Sequence, residues 1–126
     1  MNEANAKILR KVGDAEAFYF CRSLGNFTGQ KANSLEEFLQ KIKGIDAESL
    51  EFHLSREDFE KWIRITIDDA QLAGEIGLLR EQKLTGDDLR IRISLLVSKR
   101  LTELTSTANE PEGKKQAKKV SSRRAS

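Results

Sequence analysis

The sequence predicts an all-α protein, a compact bundle of about five to six short capped helices. Ser34-x-x-Glu37, Ser55-x-x-Asp58 and Thr85-x-x-Asp88 each stand just ahead of an apolar period. A hydroxyl followed three residues later by a carboxylate can satisfy the free amides of a helix start. The one proline among 126 residues is Pro111, so no ring interrupts a helix in the rest of the chain. All six Phe and the only Tyr, Trp, His and Cys fall between Phe18 and Trp62. Aromatics bury more area per residue than any other side chain, which places the core in that third of the sequence.

Residues 1–12 read as a short amphipathic helix, with Ile8 and Val12 four apart, and Gly13-Asp14 ends it. The run Ala17–Cys21 is apolar but too short for periodicity to separate a buried strand from a helical turn. Ser23 to Gly29 reads as a turn, because Gly25 and Gly29 tolerate positive φ and Asn26 tolerates the left-handed region. Ser34 then opens a helix with Leu35, Phe38, Leu39 and Ile42 on one face, closed by Gly44. Asp46 is the expected cap of a helix bearing Leu50, His53 and Leu54. Ser55 opens the next, with Phe59, Trp62, Ile63 and Thr66 inward. Asp68 caps a fourth, with Leu72, Ala73, Ile76 and Leu79. Thr85 opens the longest, striped by Leu89, Ile93, Leu96, Val97, Leu101 and Leu104. Short connections then fold neighbouring helices back on one another.

The length suits one domain. Residues 1–105 form the helical domain, with its core in 15–105. Residues 106–126 read as a disordered basic tail, because Val120 is their one large apolar residue and cannot offset the entropy of ordering. The first 112 residues hold all 20 acids and 16 of the 22 Lys and Arg, a net charge of −4. The last 14 hold Lys114, Lys115, Lys118, Lys119, Arg123 and Arg124 with no acid. A lone cysteine makes no internal disulfide, the start lacks a signal-like apolar run, and no stretch approaches the ~20 apolar residues of a membrane span. A cytoplasmic protein without a membrane segment is the expectation.

Phe27-Thr28-Gly29, Ser34-Leu-Glu-Glu-Phe38, Phe52-His53, Asp58-Phe59-x-x-Trp62 and Leu72-Ala-Gly-Glu-Ile76 together resemble an uncharacterised prokaryotic domain-of-unknown-function family, common in archaea and found in bacteria. The resemblance covers residues 17 to 104. It implies a mainly helical fold and carries no biochemical activity. Longer members bear extra histidine and aromatic residues after the Phe-His position. Here His53 stands alone, followed by Ser55 and Asp58, which counts against a metal site.

His53, Asp58 and Cys21 are the one set that resembles a site, since imidazole, carboxylate and thiol are the groups that ligate metals or move protons. Against this, three groups from separated elements are few for a metal, and a histidine bonded to Asp58 or to a helix end is an ordinary structural feature. No metal, cofactor or catalytic residue is therefore assigned. Gly25 to Gly29 lacks the spacing of a phosphate-binding loop. Trp62 and Phe59 read as core, and Asp68-Asp69 and Asp87-Asp88 as helix-start acids favoured by the macrodipole. Arg123-Arg124-Ala-Ser126 resembles a kinase site or a cloning remnant and carries no argument.

Three functional readings remain. The first is a non-catalytic helical interaction module that binds another protein. The second is a small nucleic-acid-associated protein whose six tail cations meet phosphates without reading sequence. The third is a metal-binding or enzymatic domain centred on His53. The first is preferred, because no catalytic constellation is complete.

Overall fold

The computed structural model describes residues 3–109, which are mostly helical. Helix α1 (Glu3–Leu9) leads through a short 3-10 turn at Asp14–Glu16 into strands β1 (Phe18–Ser23) and β2 (Asn26–Ala32). Helices α2 (Leu35–Gly44), α3 (Ala47–Ser55) and α4 (Asp58–Lys61) follow. The last of these widens into a π-helical turn at Trp62–Ile67 before α5 (Ala70–Gln82) and α6 (Gly86–Asn109). Helix α6 thus runs past residue 105, where the sequence ended the helical domain. The tail cations Lys114, Lys115, Lys118, Lys119, Arg123 and Arg124 lie outside the described residues.

The expected all-α class is corrected by the antiparallel hairpin β1–β2. Phe18 and Phe20 turn inward while Tyr19 between them turns out, which is the two-residue period of a strand. The expected turn region is instead a two-residue turn, Leu24-Gly25, followed by the second strand. Gly25 sits at φ +75 and Gly29 at φ +89, backbone positions where a side chain would strain. Around Gly29 the register slips between Phe20 and Cys21. The Thr28 hydroxyl bridges the irregularity, donating to the Phe20 carbonyl at 2.8 Å and accepting from the Gln30 amide at 3.1 Å.

The Ser34 box forms, with one variation. Ser34 Oγ accepts from the Glu37 amide at 3.1 Å, but Glu37 reaches back one residue further than the usual box, to the Asn33 amide at 2.8 Å. The Ser55 box does not form. Ser55 ends α3 and donates to the Phe52 carbonyl at 2.9 Å, and Glu57 precedes α4 in the left-handed region at φ 66. The cap expected at Asp68 belongs to Asp69, whose carboxylate accepts from the Leu72 amide at 3.2 Å. Asp68 instead ends the π turn at φ 73. The α6 start falls where expected: the Thr85 carbonyl accepts from Leu89, and the Gly86 amide donates to Glu51 of α3 at 2.8 Å.

Phe18, Phe20, Phe38, Phe59 and Trp62 meet in one cluster with Leu72 and Ile93, as the apolar stripes predict, while Leu96 packs partly buried at its edge. Trp62 stands edge-on to Phe18 at 5.6 Å, and its indole N–H donates to the Glu16 carbonyl at 2.8 Å. The stripe of α6 buries Leu89, Ile93, Val97 and Leu104. Ion pairs tie α5 to its neighbours. Asp69, almost fully buried, holds Arg100 of α6 at 2.7 Å, and Glu60 of α4 holds Arg80.

Candidate functional site

His53 projects from α3 into the angle between β1 and α4. Its exposure is 5%, and the rings of Phe18, Phe20, Phe52 and Phe59 stand around it at 4.8 to 6.2 Å. Its Nε2 lies 2.8 Å from the Cys21 backbone nitrogen and its Nδ1 lies 2.8 Å from Asp58 Oδ2. An amide can only donate, so Nε2 is the unprotonated nitrogen and Nδ1–H donates to the carboxylate. Burial among the rings holds the His53 pKa below its usual value, and Asp58 only partly opposes this. The neutral ring is therefore the state at neutral pH. The same carboxylate oxygen accepts from Arg56 Nε at 3.2 Å, and the Arg56 guanidinium lies over the Phe52 ring at 5.2 Å.

The structure thus brings His53, Asp58 and Cys21 together, but not as a ligand set. Cys21 joins through its backbone amide. The lone pair that would bind a metal or take a proton already accepts that amide. The arrangement is a lock that fastens β1, α3 and α4 to one another. Among the described residues no group of three or more His, Cys, Asp and Glu is placed to hold a metal ion. Phe52, His53, Asp58 and Phe59 build the lock and its aromatic wall, and the irregular turn at Thr28-Gly29 shapes the strand that pairs with β1.

Beside the lock lies a shallow depression of about 380 Å³, lined by Phe18, Tyr19, His53, Asp58, Lys61, Trp62, Ile65 and Thr66. Its rim includes exposed apolar residues beside Lys61. Tyr19 is 42% exposed and Ile65 75%, and outside the depression Phe27, 50% exposed, meets the Tyr19 ring edge-to-face at 5.7 Å. Composition placed Tyr19 and Phe27 with the core aromatics. Strand alternation at Tyr19, once the strand is known, is the signal that would have turned it outward. Ile65 stands exposed on the π turn.

On α6, Arg90 donates to the Ile42 carbonyl at 2.8 Å and Arg100 is held by Asp69, so both point into the body. Arg92 and Lys99 are exposed. No helix among the described residues is long and apolar enough to cross a membrane. No curated protein and no solved structure matches the chain. A family model described as a family of unknown function (DUF5752) matches residues 13–117. That span takes in the hairpin, the lock and all the helices after it, and the chain belongs to this family.

Proposed function

We propose that the chain is a non-catalytic interaction module, cytoplasmic and of prokaryotic origin, that binds another protein through the outer face of its hairpin and the adjoining π turn. One observation carries the reading: Tyr19, Phe27 and Ile65 stay exposed on neighbouring elements of a heavily charged protein. Aromatic and aliphatic residues grouped this way are typical of interface centres. The bonds already made by both His53 nitrogens weigh against centring a reaction or a metal there.

The test compares wild type with the double variant Phe27→Ser and Ile65→Ser. Each is immobilised and exposed to lysate with and without nuclease. The expected result is a protein retained by wild type, resistant to nuclease and lost from the variant, with both proteins showing the same helical circular dichroism. Retention that is indifferent to the two substitutions would refute this face as the binding surface.

Charge favours a second reading. Lys114, Lys115, Lys118, Lys119, Arg123 and Arg124 lie in the last 14 residues, which hold no acid, whereas the rest of the chain is net negative and repels phosphate. On this reading the six cations bind nucleic acid without sequence preference, and log affinity for duplex DNA falls with log salt at a slope of roughly −3 to −5. Removal of the residues after Pro111 should abolish that binding. Equal binding by the shortened chain would sink it.

A further inference from the structure

We propose that a second copy of this chain docks on the groove between α5 and α6, so that the protein is a two-fold dimer. This surface is separate from the hairpin face and does not depend on the reading given for it. The groove has a volume of about 280 Å³ and a floor that includes Leu79 and Leu96. Leu78 on the α5 lip is 59% exposed, Leu95 on the α6 lip is 60% exposed, and Ile91 one turn before Leu95 is 54% exposed. The apolar stripe of α6 already serves the core through Leu89, Ile93 and Val97. Ile91 and Leu95 form a second stripe that core packing does not explain.

The charges on the lips select a second copy as the occupant. Glu75 lies on α5 and Arg92 on α6, both lining the groove, and neither forms an ion pair among the described residues. A two-fold interface must be self-complementary, with the same patch serving both partners. A two-fold axis running along this groove lays α5 of one copy over α6 of the other. Glu75 of each copy then meets Arg92 of the other, and Leu78 meets the Ile91–Leu95 stripe twice. A partner of uniform charge would satisfy one lip and oppose the other.

Light scattering coupled to size separation, across a concentration series of the full chain, tests this. Wild type should run at twice the mass of one chain. Leu95→Glu should shift it to a single chain with an unchanged circular dichroism spectrum, since the side chain faces solvent within each copy. Glu75→Arg and Arg92→Glu should each weaken association at least tenfold, and the two together should restore it. That charge swap reads the interface even if the Leu95 variant folds poorly. A wild type that stays monomeric throughout overturns the proposal. So does a dimer indifferent to Leu95→Glu, or a charge swap that fails to restore association.

Discussion

Gly77 lies in the middle of α5, where a glycine costs a helix about 1 kcal/mol relative to alanine. A Cβ built there would sit 2.6 Å from Glu60 Oε2 and 3.2 Å from its Cδ. The carboxylate would have to retreat by about 0.8 Å to reach the 3.4 Å at which ordinary contact begins. Glu60 cannot retreat freely, because its side chain is 9% exposed and bonded to Arg80, one turn along the same helix as Gly77. Breaking a fully buried pair outright costs about 3–5 kcal/mol, and the partly exposed Arg80 end makes this pair worth less. A partial displacement, offset by the helix gain, leaves Gly77→Ala less stable by roughly 1–3 kcal/mol. In a domain of this size that is a fall in Tm of roughly 5–20 °C. Urea titration measures the loss, and a double-mutant cycle assigns it. With Glu60→Ala already in place the obstacle is gone, so Gly77→Ala should then stabilise by about 1 kcal/mol. The reasoning is refuted if Gly77→Ala stabilises the wild-type background by that same amount, because the carboxylate would then impose nothing on position 77.

Trp62→Ala should cost about 3–5 kcal/mol in denaturant titration, since the indole is 8% exposed, packs on Phe18 and Phe38 and bonds the Glu16 carbonyl. A loss below about 1 kcal/mol would make it a surface residue. Ser49→Ala should raise stability by about 1 kcal/mol, because Ser49 Oγ is fully buried without a hydrogen-bond partner among the described residues. A loss of similar size would show that the hydroxyl is satisfied. His53 binds a proton less readily folded than unfolded. The unfolded state therefore takes up more protons as pH falls from the ordinary histidine value of 6.5. The stabilising contribution of the neutral ring is fully present above that value and is lost as pH drops through the lowered folded value. Urea midpoints measured from pH 8 to about 5 should fall, at no more than about 1.4 kcal/mol per pH unit for one proton. His53→Gln should flatten the decline in the window above the carboxylate range, and an unchanged slope would place its origin elsewhere.

The helices were legible because each carries its own period and most of their starts carry polar side chains suited to capping. Ser34 and Glu37 show this, and α6 begins where Thr85 placed it. The misplaced starts have local causes. Ser55 had a nearer acceptor in its own helix, and the Asp58 carboxylate is drawn away to His53 and Arg56. Asp68 and Asp69 are chemically identical, so only backbone geometry decides which one caps. The hairpin was half legible. Phe18, Tyr19 and Phe20 mark an apolar run that could be strand or helical turn, but β2 buries only Ala32 and reads as polar turn residues. A strand that contributes backbone bonds rather than side chains to the core leaves little trace in sequence. The same holds at the candidate site. A bond between His53 and Asp58 was expected from residue type, whereas the Cys21 amide would be present whatever the side chain.

A two-stranded hairpin by itself is marginal in water. This one is held to the helices partly by an imidazole whose acceptor nitrogen must stay unprotonated to take the Cys21 amide. Protonation would turn that acceptor into a second donor facing a donor and would remove this tie, leaving the strand held by the packing of Phe18 and Phe20. The exposed rings of Tyr19 and Phe27 ride on that hairpin. The imidazole that takes the Cys21 amide also lines the depression beside that outer face, so a change in its charge would be felt at the floor of the face itself.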